Sequence, residues 1–574
     1  MSLFIDALVN LVRLLRNARR ALRRPPDFVW ISVTGVLPEF DPPGRNLLQR
    51  RLLRNPRTIA PGLQSIRYRL DRILADGRAG GVILRVQDLD AGWAALEELR
   101  AELHRFRAKG KKVVAYLADT DTRSYYLASA SDEVYTTPLS TLNVVGLRAR
   151  VNFLKDTLCS LGLETEVIAV SPYKSAADAI SRTDFSKESR EQVERLLDAR
   201  FDELVNAISA GRDIQSDEVR VLIDQAPHSA EGAVRNGLLD GALYEDELPG
   251  RLASGDAVSA GTANSVKSAK LAEWGMAEKV LRLPYRKRSR KVVGLVGVEG
   301  AIQRGASRKL PVPVPFLGRE QAGSDSVVAA LRVAEKSRRV GAVLLHVDSP
   351  GGDALASDLI WREVRRIRAK KPVVVLMGNA AASGGYYVSA PANHIVARKN
   401  TVTGSIGVIL TRPTTAGLLN KLKVNPVTIE RGARSNLLDP RRPPTSDEVS
   451  VLEDRLNTFY DGFKDRVSSG RGLPPDALEE LAGGRVWTGA EALERGLVDE
   501  NGGFRTALDK ARHLAGIPNG PGVLARIQPP GGSRPTPGEP VREAIDIVEA
   551  MRDAFSKLGT ARVWALAPYE ISDD

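Results

Sequence analysis

A single cysteine, Cys159, in 574 residues excludes an intramolecular disulfide framework. It lies in Phe153-Leu-Lys-Asp-Thr-Leu-Cys159, where a buried helical position is expected rather than a reactive thiol. Histidine is scarce as well: His104, His228, His346, His394 and His513 are all there are, so few side chains can serve as a histidine base. Aromatic residues make up only 5% of the chain and do not interleave with its basic runs, which argues against nucleic-acid binding. Long apolar runs are missing too. The N-terminal apolar pattern breaks well short of the roughly 20 residues a membrane-spanning helix needs.

What is present is a soluble, globular composition, 43% hydrophobic and 27% charged. At roughly 150 residues per domain, the length allows three or four units. The net charge of +13 is local, concentrated in the first 24 residues and in Arg286-Lys-Arg-Ser-Arg-Lys291. Phe4, Leu8, Leu11 and Leu15 recur at helical spacing, with Asp6, Asn10, Arg13 and Arg16 between them. Arg16, Arg19, Arg20, Arg23 and Arg24 follow the apolar residues, whereas a secretory signal places its charges first. Residues 1–28 therefore read as a basic amphipathic helix lying on an anionic membrane surface.

The chain then contains itself twice. Tyr125-Tyr126 recurs as Tyr386-Tyr387, 261 positions on, and the same offset carries Gly146 onto Gly407 and Val82-Ile-Leu-Arg-Val86 onto Val343-Leu-Leu-His-Val347. Asn236-Gly-Leu-Leu-Asp240 and Arg495-Gly-Leu-Val-Asp499 match at 259, as do Ser209-Ala-Gly-Arg212 and Ser468-Ser-Gly-Arg471. Such register over long halves means one fold used twice. Short β-branched runs alternate with amphipathic helical stretches. The second half reads as strand 292–298, helix 326–337, strand 342–347, helix 356–369, strand 372–377 and helix 384–389, then helices over 447–466 and 488–495. That order predicts βαβ units, a mostly parallel sheet and an α/β class. The expected division is 29–285 for the first repeat, 286–515 for the second, and 516–574 for a tail. The tail holds a breaker-rich linker, 528–540, and a helical pattern over 541–558.

Where the halves differ, one has kept chemistry the other lacks. Ser383-Gly384-Gly385 faces Thr122-Arg123-Ser124, and Asp348-Ser-Pro-Gly-Gly352 faces Gln87-Asp-Leu-Asp-Ala91. Two glycine-bare strand ends thus belong to the second half alone, at the ends of parallel strands where open α/β sheets place their sites. Ser383 at a strand-to-helix turn would have its hydroxyl near the positive end of a helix dipole. The N–H groups of Gly384 and of Gly351 or Gly352 could converge on an oxyanion. As bases, His346, beside Asp348, and His394, eleven residues past Ser383, stand open, although they face Arg85 and Glu133 in the other half. So does a lysine made neutral by burial. Lys174, in Val170-Ser-Pro-Tyr-Lys174-Ser, follows a strand-like Glu166–Val170, and its counterpart region 429–435 has no lysine. One half has the serine and the other the lysine, as expected of one site built from both.

Asp348-Ser-Pro-Gly-Gly352, Ala382-Ser-Gly-Gly-Tyr-Tyr387, Thr403-Gly-Ser-Ile-Gly407, Tyr173-Lys-Ser175 and Arg485-Val-Trp-Thr-Gly489 together resemble the signal peptide peptidase A (protease IV) family in its long two-repeat form, over residues 29–515. The resemblance implies a tandem duplication of a crotonase-like, caseinolytic-protease-like α/β domain. It implies a Ser-Lys dyad with Ser383 as nucleophile, Lys174 as general base, Ser405 orienting the lysine, and Gly352 and Gly384 as oxyanion donors. No metal or cofactor is implied. The implied substrates are cleaved signal peptides and other short apolar peptides, cut by a membrane-associated homotetramer. One departure bears on location: Pro25-Pro26 ends the N-terminal helix and Asp27–Gly35 already reads as a strand, where long-form members carry a spanning helix. Peripheral attachment, favouring the cytoplasmic face, is therefore expected. The alternatives are an acyl-CoA enzyme using the same oxyanion site and a non-catalytic membrane scaffold.

Overall fold

The computed structural model describes residues 2–41, 61–118, 120–253, 268–285, 289–314, 318–520, 523–529 and 562–566. The chain forms two compact units. One gathers the chain up to Arg148 with Asp198–Arg288, and the other joins Ala149–Leu197 to the chain from Ser289 to Ile571. Residues 149–197, expected within the first repeat, thus belong to the unit that contains Ser383. The cause is strand Glu164–Ala169, which pairs antiparallel with strand Ile409–Thr414 along its full length.

The first unit is built on a six-stranded, wholly parallel sheet, in the order Gly241–Ala242, Glu133–Thr136, Lys112–Leu117, Gly81–Val86, Phe28–Val33, Leu271–Glu273. Strands such as Gly81–Val86 are apolar nearly throughout because both faces are covered, which suits parallel pairing. Helix Ser2–Ala21 packs on this unit by polar contacts: the Arg13, Asn17 and Arg20 side chains donate to the carbonyls of Pro284, Leu283 and Leu281. Leu8, Leu11, Leu14 and Leu15 stay exposed.

The second unit repeats the plan with longer strands. Its main sheet runs Val486–Thr488, Val402–Gly404, Val373–Ala382, Val340–Ser349, Val292–Glu299, Leu524–Arg526, with His394–Ala397 also pairing Val373–Ala382. Helix Ala354–Arg368 covers it with Ile360, Trp361, Val364 and Ile367, and its N-terminus is capped by Asp353 accepting from the Ala356 N–H at 2.9 Å. Burying a side chain of that size contributes about 1.5–3 kcal/mol, so this face alone is enough to hold the helix against its sheet. A second, seven-stranded sheet runs Arg308–Val314, Gly318–Gly323, Ala301–Gln303, Gly351–Asp353, Arg562–Leu566, Ile409–Thr414, Glu164–Ala169.

The duplication reaches individual bonds. Tyr125 donates to the Leu238 carbonyl at 2.6 Å, and its counterpart Tyr386 donates to that of Leu497 at 2.8 Å. Arg212 pairs with Asp240 as Arg471 does with Asp499. Two expectations need correction. Cys159 is helical but exposed, since helix Lys155–Ser160 buries none of its residues. Strand 372–377 continues to Ala382, because Ala380–Ala382 gains a partner in Val402–Gly404. The helical pattern over 541–558 lies outside the described residues.

Candidate active site

Strand Val373–Ala382 ends on Ser383, and helix Gly384–Ser389 begins immediately after it. Ser383 turns the chain with φ 54° and ψ −113°, a conformation rarely open to any residue but glycine. Two bonds hold it there: its N–H donates to the Gly404 carbonyl at 2.7 Å, and its own carbonyl accepts from the Tyr387 N–H at 2.8 Å. The matching turn in the first unit is relaxed, with Asp121 at φ −73° capping its helix through the Ser124 N–H. Strain kept in one copy and absent from the other marks Ser383 as the position where geometry serves something besides folding.

Lys174 lies in the loop that leaves strand Glu164–Ala169, in the same unit. Its Nζ is 2.7 Å from Ser383 Oγ and donates to the Ser405 carbonyl at 3.0 Å and to Ser405 Oγ at 2.9 Å. The lysine is 2% exposed, and no carboxylate pairs with it among the described residues. Burial without a counter-charge pushes its pKa well below the ordinary lysine value. Ser405 is itself strained, at φ 51°, and anchored by its N–H on the Arg485 carbonyl at 2.6 Å. Ser383, Lys174 and Ser405, named from the sequence, therefore meet within hydrogen-bond reach.

Gly352 and Gly384 meet as well. A methyl group on Gly384 would stand 3.1 Å from the Gly352 nitrogen and 3.2 Å from the Gly351 Cα. Asp348 stands further back: its carboxylate accepts from the Ala380 N–H at 3.1 Å, and burial raises its pKa. The two histidines considered as bases face elsewhere. His346 contacts Glu299 at 3.3 Å, and His394 contacts Glu500 at 3.0 Å.

One supporting residue carried no signal in the sequence. Gln192, buried on helix Lys187–Arg212, donates to the Tyr173 carbonyl at 3.1 Å and accepts from the Val486 N–H at 2.9 Å. It ties the lysine loop to strand Val486–Thr488. Gly484 completes the packing, with no room for a side chain against the Lys174 backbone: a Cβ there would lie 2.7 Å from the lysine Cα. A glutamine in a charged helical run looks like any solvated residue until its partner Val486, 294 positions on, is known.

A helix-turn serine, a buried lysine with a lowered pKa and two converging glycine backbones together suit acyl transfer: a nucleophile, a base and a cradle for negative charge. Comparison with known proteins agrees. The family model described as Peptidase family S49 matches residues 105–259 and 365–518. The chloroplastic serine protease SPPA of Arabidopsis thaliana is 34% identical over 466 residues, 80% of this chain and 67% of that protein. Protease 4 of Haemophilus influenzae is 32% identical, over 76% of this chain and 71% of that protein. A solved ClpP1 mutant from Listeria monocytogenes aligns with 37% of this chain and 94% of its own at 15% identity and a TM-score of 0.24, a likeness too weak to bear on the fold.

Proposed function

Given that this chain belongs to peptidase family S49 and is a serine peptidase, we propose that it cuts peptide bonds with a Ser-Lys dyad, Ser383 as nucleophile and Lys174 as general base. The observation that carries the reading is the 2.7 Å contact between Ser383 Oγ and a buried lysine that no carboxylate among the described residues pairs with. A neutral amine has two N–H bonds and one lone pair. The carbonyl and hydroxyl of Ser405 accept the two bonds, which aims the lone pair at the Ser383 proton.

In the first step Lys174 takes that proton while Oγ attacks the scissile carbonyl. The N–H groups of Gly352 and Gly384 receive the charge that develops on the carbonyl oxygen. The lysinium then gives its proton to the departing amine, leaving an acyl-enzyme and a neutral base. Water enters, Lys174 removes its proton, the ester breaks, and Ser383 regains its hydrogen. The substrates we propose are short apolar chains, cleaved signal peptides foremost, met at a membrane surface by a homo-oligomeric enzyme. Helix Ser2–Ala21 supports that setting, since it directs polar groups to its own unit's carbonyls and leaves Leu8, Leu11 and Leu15 outward. No helix among the described residues is long and apolar enough to cross a membrane.

The test is hydrolysis of a quenched apolar peptide, together with peptide mapping after reaction with a serine-acylating phosphonate. Turnover with label on Ser383 is expected. Label on any other serine, or turnover of acyl-CoA in place of peptide, would remove the assignment. Gln192 adds a second prediction, as a positioning residue. Gln192→Ala strands two backbone groups and loosens the lysine loop, at a cost of about 1–3 kcal/mol in stability. It also admits water to Lys174, so the pH at which activity appears should move up towards the ordinary lysine range. A loss of stability with an unmoved pH profile would reduce Gln192 to packing alone.

A further inference from the structure

The duplication provides a control for residues around the site. Helices Lys187–Arg212 and Ser446–Arg471, 26 residues each, match 259 positions apart. That match sets Phe201 against Tyr460, Arg220 against Glu479, and Asp224-Gln225 against Gly483-Gly484. In the copy without Ser383, Phe201 offers only its ring, with the Arg220 guanidinium 5.2 Å from the ring centroid. In the copy with Ser383, Tyr460 is buried and adds a hydroxyl. That hydroxyl donates to Glu479 Oε1 at 3.0 Å and accepts from the Gly483 N–H at 3.0 Å, while Glu479 Oε2 accepts from Lys464 Nζ at 2.9 Å.

Gly483 leads to the dyad in two directions. Its carbonyl accepts from Ser171 Oγ at 2.5 Å, and that oxygen in turn accepts from the Tyr173 N–H at 3.2 Å, one residue before Lys174. On the other side the Gly484 N–H donates to the Ile406 carbonyl at 2.8 Å, next to Ser405, whose own N–H is held by the Arg485 carbonyl. The turn therefore touches the lysine loop on one face and the Ser405 segment on the other. A shift of this turn moves the lysine amine relative to both its acceptors and to Ser383. Burial, together with the Glu479 carboxylate, pushes the Tyr460 phenol up to about 12. The hydroxyl thus keeps its proton for Glu479 and a lone pair for the Gly483 N–H.

We propose that Tyr460 is a positioning residue of the dyad: its hydroxyl, aimed by Glu479, fixes the Gly483-Gly484 turn that keeps Lys174 Nζ between Ser383 Oγ and Ser405. The proposal rests on the peptidase reading above. Packing alone does not call for the hydroxyl, since the matching helix of the other copy forms with phenylalanine at that position. What the hydroxyl adds is a bond to the residue before Gly484, the glycine that packs against the Lys174 backbone. A neutral lysine depends on that support in two ways. A displaced Nζ loses its line to the Ser383 proton, and an opened turn admits water, which stabilises the charged form.

The experiment compares Tyr460→Phe with wild type in the full chain, using the quenched apolar peptide. Below the wild-type pH midpoint, kcat should fall by about 10–100-fold, the scale of a displacement of roughly 1 Å at the reacting groups, with KM little changed. The pH midpoint of kcat should move up towards the ordinary lysine value of 10.5. Leu456→Ala, one turn earlier on the same helix and buried, removes packing and leaves the hydroxyl. It should lower Tm and keep the wild-type kcat and midpoint. A readout independent of turnover is carbon NMR of chains with isotope-labelled lysine, the Lys174 signal being assigned by its loss in Lys174→Met. Its titration midpoint should be higher in Tyr460→Phe than in wild type. Wild-type kcat in Tyr460→Phe, or an unmoved midpoint whatever happens to Tm, would overturn the proposal. If no chain cleaves any peptide, the peptidase reading fails by itself, while the NMR titration still decides whether Tyr460 sets the state of Lys174.

Discussion

Lys174→Met should lower kcat for peptide cleavage about 10⁴-fold or more, Ser383→Ala should do the same, and the double variant should be no worse than either, because members of one proton-transfer unit are not additive. Lys174→Arg should fail to rescue, since a guanidinium stays protonated and has no lone pair for the Ser383 proton. The pH dependence has a definite sign. Burial lowers the lysine pKa, so the neutral form is present above that lowered value, and kcat rises with pH through it at a midpoint below the ordinary 10.5. Stability follows by linkage. Between the lowered folded value and the unfolded one, the unfolded chain binds the extra proton, so the native state gains stability as pH rises towards 10.5. Lys174→Met removes that dependence. Its advantage in Tm over wild type should therefore be largest at the acid end of the window and shrink on going alkaline. A Tm difference flat with pH would mean that the lysine stays charged in the folded protein, and the general-base role would go with it.

The site was more legible than its scaffold for a physical reason. Chemistry of this kind needs particular atoms at bare backbone positions, and Ala381-Ala-Ser-Gly-Gly385 shows that need in the sequence itself, the more so against Thr122-Arg123-Ser124 in a copy that lacks it. The alternation of β-branched runs with amphipathic helices was equally plain, and strands Val292–Glu299 and Val340–Ser349 lie where periodicity put them. What was hidden depends on pairing between distant segments. Nothing in Glu164–Ala169 announces that its partner is Ile409–Thr414, so residues 149–197 read as part of the first half when their unit is the second. Arg562–Leu566 was passed over for the same reason. A run of five residues past the helical pattern of 541–558 is too short to show a period, and its strand character comes from the two edges it pairs with. Cys159 failed in the opposite sense: the helix was legible, but whether a neighbour covers its apolar side was not.

Gly384→Ala should lower kcat by about 10²–10³-fold, the usual consequence of disturbing an oxyanion donor, with KM little changed and stability within about 1 kcal/mol of wild type. Alanine is the better helix former by about 1 kcal/mol, so at the first position of helix Gly384–Ser389 the substitution should favour local folding. The difficulty lies in front of the helix. The new methyl would meet Ser357 Oγ at 2.6 Å, the Gly352 nitrogen at 3.1 Å and the Gly351 Cα at 3.2 Å. The serine hydroxyl can rotate aside; the glycine backbone cannot. Gly352 sits at φ +156° with the Ile302 carbonyl directly behind it, where even a Cβ would lie only 2.0 Å from that oxygen. Any relief must therefore come from turning the Gly351–Gly352 peptide or tilting the helix start, and either motion separates the two N–H groups that should share one oxygen. Ser357→Gly added to Gly384→Ala removes the hydroxyl contact and leaves the backbone contacts, so it should recover whatever stability the single variant loses without recovering kcat. Wild-type kcat in the single variant would mean that these two glycines do not hold the charge formed at Ser383, and the donors would have to be sought elsewhere around its turn.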